Sequence, residues 1–391
     1  MAGISSGVSG ASLQYSYDAV GNVLSDGTNA YSYDPLGRLT GTDRGDGIGR
    51  KADRSRGEKL ETAYSYDGNG NRDAVEQTFS KTNKKGVEKE KTRVADYSAN
   101  ALDQYSGVAF YLSGSSDSRR DDGHGKKTTS FRYDKNGNLV DDGNREYSYD
   151  YRNRLTKVES YGTEKGDKVK KIETLSEFRY DPLGRRTEKI SYDDGRKDSA
   201  TRYLYAGQDA LEEDDYPLEG KRETLSATRE YVYGNGTDDA LAAYASKPGA
   251  KGRTTAYFYH KDRLGSVAAV TDARGKAVAR YAYDEFGRTF SKNPAGEVTA
   301  LLPSPIGDSR LYTGREYDRE TGLYYYRARY YSADLGRFLS RDPIGTADQI
   351  NPYAYVANNP LKYVDSMGME KIVLAIYETA EIYKRLLNEP L

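Results

Sequence analysis

A six-residue string, Tyr-Asp-x-x-Gly/Asn-Arg/Asn, recurs along the chain and limits its fold more than any other feature. It starts at Tyr17 (YDAVGN), Tyr33 (YDPLGR), Tyr66 (YDGNGN), Tyr133 (YDKNGN), Tyr149 (YDYRNR), Tyr180 (YDPLGR) and Tyr283 (YDEFGR). Composition alone would give on the order of 0.1 such matches in a chain this long, so the string marks an array of like units. Ahead of the Asp the pattern alternates, as in Tyr15-Ser16-Tyr17 and Tyr147-Ser148-Tyr149, which puts rings on one face of a strand and Ser on the other. Asp at the first turn position, Pro at the second (Pro35, Pro182) and Gly at the fourth is type I turn chemistry. A left-handed Gly after such a turn makes a bulged three-residue hairpin loop. Asn153 stands in for Gly because Asn tolerates positive φ. Val23, Leu39, Leu139 and Leu155 then open return strands, so each unit predicts a β-hairpin.

One hairpin is not stable alone, so the units must pair side by side and bury their Tyr faces. The predicted fold is all-β: YD-repeat hairpins forming a curled or spiralling antiparallel sheet, a full or partial hollow shell. Residues 1–14 read as a disordered N-terminus, 15–253 as the hairpin array, 254–369 as a second, more apolar unit, and 370–391 as a short C-terminal amphipathic helix. The segments Gly41–Lys59, Lys81–Arg93, Ser113–Lys127, Tyr161–Lys171 and Ser246–Arg253 hold little to bury and read as long hairpin loops or disordered excursions. Their basic stretches are interleaved with acidic residues and carry no aromatic platform, so nucleic-acid binding is not expected.

What must fill the core follows from the ring inventory. The chain has 38 Tyr against 8 Phe and no Trp, and only 36% hydrophobic residues. Most core rings are therefore phenols whose hydroxyls must reach backbone or solvent. With 59 basic and 60 acidic side chains there is no net field toward nucleic acid or anionic lipid. Absence of Cys excludes disulfides and thiolate chemistry. His124 and His260 lack partners at ligand spacing, so no metal or other cofactor is expected. GNG and GDGIG lack the strand-then-helix setting of a phosphate loop, and no Ser nucleophile elbow is present. The longest apolar run, IVLAIY, is too short to span a bilayer, and the first residues lack the pattern of a classical signal peptide.

From Thr254 the texture is tighter. In GLYYYRARYYSADLGRFLSRDPIG a single strand would put Tyr324, Tyr326, Ala328 and Tyr330 on one face, with Tyr325, Arg327, Arg329 and Tyr331 on the other, a cation–π ladder. The repeat string resembles the YD repeat of the Rhs family. The block running through YHKDRLGSVAAVTD, GLYYYRARYYSADLGRFLSRDPIG and NPYAYVANNPLKYVDSMG resembles the Rhs repeat-associated core. Repeats and core together cover about residues 15–369. The resemblance implies a β-ribbon shell like that of bacterial polymorphic toxins and of the C component of insecticidal toxin complexes, closed by a core that acts as an intramolecular aspartic peptidase. It also implies an enclosed or C-terminal toxin polypeptide, a secretion-system spike or toxin-complex partner, and export by a specialised system.

By that resemblance the catalytic carboxylates fall on Asp342 and Asp365, a supporting cation on Arg341, and the cut on the Met369–Glu370 bond. The chain departs from the family motif at Ser366, where the motif has Pro. Taken residue by residue, either Asp also fits a simple turn-former. Two other readings stay open: a surface recognition or adhesion module with Tyr on its convex face, and an inactive remnant without a toxin.

Overall fold

The computed structural model describes residues 3–5, 12–45, 58–82, 88–113, 127–163, 170–218, 224–246 and 254–373. Most of them belong to antiparallel strands, paired within each sheet with their sequence neighbours. Nine strands from Ser16–Tyr17 to Lys127–Ser130 form one sheet, and fifteen from Arg132–Tyr133 to Val298–Thr299 form the next. Only Phe131 separates the two edges, so together they are one ribbon of hairpins. It runs unbroken past residue 253, since Ala240–Ser246 pairs with Thr254–Lys261.

Each repeat builds its turn in the same way. At Asp34 the carbonyl accepts from Gly37 N at 2.8 Å while Asp34 N donates to Arg38 O at 3.0 Å. Its Oδ1 accepts from Leu36 N and Arg38 N at 3.0 and 2.9 Å, and its Oδ2 from Arg38 Nε at 2.6 Å. The turn Gly has φ +75°, and Asn153 takes the Gly role at φ +61°. Where Arg is replaced, Asn71 and Asn138 use Nδ2 instead, each 2.8 Å from Oδ2 of its Asp. The residue two past the Gly is sealed, with Val23, Leu39, Leu139 and Leu155 at most 1% exposed.

Side chains also stitch one hairpin to the next. Tyr33, Tyr66, Tyr205 and Tyr283 donate their hydroxyls to the carbonyls of Val23, Leu39, Arg186 and Val267, at 2.6–2.9 Å. Every one of those acceptors lies in the preceding hairpin, two residues past its turn Gly. Arg38, Arg154 and Arg185 reach the other way, to the carbonyls of Asp67, Asp181 and Gly207 in the following turn. Each such bond stabilises by about 1 kcal/mol net. Tyr and Arg recur in the string because each holds an adjacent hairpin.

The ribbon is wound around the segment 306–364. Leu323–Tyr326 and Arg329–Ser332 form a hairpin whose strand residues are all buried. Its Tyr324, Tyr326 and Tyr331 pack with Tyr231, Tyr259, Val267, Val270 and Tyr281 of the later ribbon. The opposite face, Leu323, Tyr325 and Tyr330, packs with Tyr105, Phe131, Leu139, Tyr147, Leu155 and Phe178 of the middle ribbon. The repeat Tyr rings from Tyr33 onward therefore point inward, as a shell requires and an adhesive convex face does not, while Tyr17 of the first repeat is exposed. The space inside this turn of ribbon is occupied by the chain's own 306–364 segment.

Start and end of the ribbon meet without a strand ladder. Leu39 and Tyr64 pack on Phe286. Arg44 pairs with buried Glu285 and donates to Tyr283 O at 3.0 Å, while Tyr64 OH donates to Glu285 Oε2 at 3.2 Å. The Arg263 guanidinium lies 5.3 Å from the Tyr15 ring centre and donates to Leu361 O.

Three expectations change. GLYYYRARYY is a hairpin, not one strand: Tyr326 pairs with Arg329, and Arg327 takes φ +55° at the turn. That conformation is held by the Arg327 guanidinium, which bonds Asp238 at 2.7 Å and Asp209 at 3.1 Å. Within 1–14, Gly3–Ser5 pairs with Ser12–Gln14, so part of that stretch is ordered by a ladder. At the other end Ile372–Val373 is a strand on Tyr363–Val364 rather than helix, because its backbone completes an available edge, and the remainder of the expected helix lies outside the described residues. Parts of the charged inserts lie outside them, and the strands that flank each are antiparallel neighbours; in Lys81–Arg93 the expected loop is shorter, since 88–93 is itself strand paired with 77–82.

Candidate functional site

Asp342 sits at the start of a turn that repeats the ribbon's own design. Gly345 N donates to its carbonyl at 3.0 Å and Ile344 N to its Oδ1 at 3.0 Å. Asp365 heads a later turn, where its Oδ1 accepts from Met369 N at 2.9 Å. Both are thus turn-formers through one oxygen. In six of the seven repeats the other oxygen is claimed by Arg or Asn four residues on, but here those positions are Thr346 and Met369. The two free Oδ2 atoms turn instead to a common cation. Arg329 Nη2 lies 2.7 Å from Asp342 Oδ2 and 3.3 Å from Asp365 Oδ2.

Arg329 is placed by the hairpin turn. Its guanidinium is buried, lies 3.6 Å from the Phe338 ring centre, and donates from Nη1 to Pro352 O at 3.0 Å and from Nε to Gly368 O at 2.6 Å. The turn residues 327–329 grip three consecutive carbonyls of the second Asp loop. Arg327 Nη1 holds Ser366 O at 2.5 Å, Ala328 N holds Met367 O at 3.2 Å, and Arg329 Nε holds Gly368 O. The loop is therefore fixed at Ser366 without a Pro. Gly368 has φ +69°, and a Cβ there would come 2.4 Å from Tyr326 O.

The electrostatics favour a proton on one carboxyl of the pair. Burial pushes Asp365 up to about 6, with Asp342 adding to the rise and Arg329 and the Met369 N–H opposing it. Burial also raises Asp342, opposed by Arg329, with Asp348 contributing negative charge nearby. Two carboxylates around one buried guanidinium carry one negative charge too many, so one of them takes a proton more readily than an isolated Asp.

Of the residues singled out from sequence, the structure brings Asp342, Asp365 and Met369 together. Met369 is half-buried and Glu370 exposed. Arg341 is not at the carboxylates: it is exposed, and its methylenes lie over Gly137. The cation at the pair is Arg329, which sequence reasoning missed because it was placed in an aromatic ladder. A partial signal for it was the lack of Arg or Asn four residues after Asp342 and Asp365, a lack that the turns at Asp262 (Ser266) and Asp272 (Lys276) share. His260 Nε2 is 3.0 Å from Thr271 Oγ1, His124 lies outside the described residues, and among the described residues no group of three His, Cys, Asp or Glu is placed to hold a metal.

Comparison with known proteins places this geometry in context. The family model for the teneurin YD-shell matches residues 119–361. The tRNA nuclease WapA of Bacillus subtilis is 31% identical over 312 residues, which cover 78% of this chain and 11% of that protein. The toxin protein Tse5 of Pseudomonas aeruginosa is 24% identical over an alignment covering 88% of this chain and 27% of the relative. In fold the chain is similar to the crystal structure of TcdB2-TccC3-TEV, with a TM-score of 0.53 at 19% identity over 91% of this chain and 18% of that one. The chain thus spans a small part of the length of each relative.

Proposed function

The chain belongs to the YD-shell family, and on that premise we propose that it is the end of a shell that walls in a toxin polypeptide, an end plugged by its own 306–364 segment, and that Asp342 and Asp365 are an intramolecular aspartic peptidase cutting Met369–Glu370. The observation that carries the second part is the Arg329 guanidinium joining both carboxylates while Asp365 bonds the N–H of Met369. Inward-facing Tyr and the toxins among the relatives support the first part.

The step is a hydrolysis. Ionised Asp342 takes a proton from water as the hydroxyl adds to the Met369 carbonyl carbon, and protonated Asp365 gives its proton to the Glu370 nitrogen as the C–N bond breaks. The products are a carboxyl group on Met369 and an amine on Glu370. Asp365, which burial raises the further toward neutrality, is the acid. Arg329 is a positioning residue that keeps both Oδ2 atoms on one side of the loop. Neither a metal nor a cofactor has a part in this step. The enclosed polypeptide, a secretion-system spike or toxin-complex partner, and export from a bacterium complete the reading.

Purified wild type, Asp342→Asn and Asp365→Asn chains followed by gel and intact mass test it. Wild type should separate into 1–369 and 370–391 while both variants stay whole. Three intact chains between pH 4 and 8 would end the peptidase reading.

A further inference from the structure

The residues that follow the expected cut are themselves held. Lys371 makes three bonds to one residue: its backbone N donates to Asp348 Oδ2 at 3.0 Å, and its Nζ donates to Asp348 Oδ1 at 2.8 Å and to Asp348 O at 2.7 Å. Asp348 and Lys371 side chains are only 18% and 23% exposed. The loop carrying Asp348 is braced by its neighbour, since Gln349 Nε2 donates to Ala354 O at 2.6 Å and its Oε1 accepts from Ala357 N at 2.7 Å. Directly beyond Lys371, Ile372–Val373 adds to Tyr363–Val364 as a strand. Met369 is held by Asp365 on the other side, so exposed Glu370 lies between two anchored residues.

We propose that Asp348 and the Tyr363–Val364 edge form a subsite for the chain downstream of the cut, reading a Lys at the second position through its charge and an extended dipeptide after it through its backbone. Rigid capture of both flanks presents the Met369–Glu370 bond in one conformation, which is the orientation a hydrolytic step needs. The same contacts keep the downstream product on the shell after the bond is broken, because none of them crosses it. Recognition is by main-chain pairing for grip and one buried-edge carboxylate for identity, the division of labour in strand addition. Asp348 also contributes negative charge at Asp342. A Lys seated on Asp348 therefore offsets a charge that the carboxylate pair would otherwise feel.

This inference rests on the peptidase reading for its biological meaning, but the clamp is tested without it. In the full chain carrying Asp342→Asn, hydrogen exchange read by mass spectrometry over residues 367–373 should show slow exchange at Lys371. Adding Asp348→Ala should speed it about tenfold or more, since the amide loses its acceptor, whereas Lys371→Arg should leave it slow. Unchanged exchange in Asp348→Ala overturns the subsite. In the chain with an intact carboxylate pair, native mass spectrometry should find 370–391 still bound to 1–369, and Asp348→Ala should release it. Release at equal rates with and without Asp348 also overturns the subsite, while failure of the chain to cut at all counts only against the peptidase.

Discussion

Replacing Asp284 by Asn tests how the two ends of the ribbon are fastened. Asp284 begins the turn next to Glu285, the partner of Arg44 across the seam. Its Oδ1 accepts from Phe286 N at 3.1 Å and Arg288 N at 2.8 Å, and an Asn oxygen can accept both. The substitution therefore removes a titrating group and little else. Burial, then the charge of Glu285, pushes Asp284 from 3.8 up to about 7, against the opposing pull of Arg44 and Arg288. A folded value above the unfolded one adds stability that is complete below the unfolded pKa and is lost as pH rises through the folded one. Between pH 8 and pH 5 the wild type should gain, relative to the variant, about 1.4 kcal/mol for each of roughly two units, or about 2 to 3 kcal/mol. Tyr64 and Tyr331 face the same charges, and burial pushes both further up, so they stay neutral throughout. Urea unfolding of both chains at pH 5, 6, 7 and 8 measures the swing. The variant should be the more stable chain at pH 8, and the gap should shrink by about 2 to 3 kcal/mol toward pH 5. A gap that stays constant over this range would refute the argument, because it would mean that Asp284 is not held neutral at the seam.

Two further outcomes concern the carboxylate pair. Gly368→Ala should abolish self-cleavage, because its Cβ would meet the fixed carbonyl of Tyr326 and a left-handed non-Gly residue costs about 1 kcal/mol or more; cleavage at the wild-type rate in a folded variant, judged by circular dichroism, would sink it. The wild-type cleavage rate should fall by up to about tenfold per pH unit above about 6 as Asp365 loses its proton, and a rate that is flat from pH 5 to 8 would assign the acid elsewhere.

The hairpins were readable because each turn is local chemistry: Asp, Gly and the residues between them settle φ, register and bulge within a few positions. Asn153 at positive φ and the sealed Leu39 and Leu155 follow from the same local rules. The ring hydroxyls found backbone acceptors, as a core of phenols must, but which carbonyl each would reach depends on neighbouring hairpins. The hairpin at 323–332 escaped alternation because its turn uses Arg327 rather than Gly, and only distant Asp209 and Asp238 make that conformation tenable. Asp342 and Asp365 could be singled out only by resemblance, since spacing alone treats them like every other Asp before a turn. Arg329 was invisible as their partner because the pairing joins three loops. The seam at Arg44 and Glu285, 241 positions apart, has no local signature at all.

The wall's closure without a strand ladder has a mechanical consequence. Within the ribbon, strands share backbone bonds only with sequence neighbours, so hoop strength resides in the clasp at Glu285 and in bonds to the spool of residues 306–364, such as Arg186 to Asp318 and Asn359 to Asn22. Tension applied through residue 373 would load the short Tyr363–Val364 ladder first, at the spool, leaving the clasp unstressed.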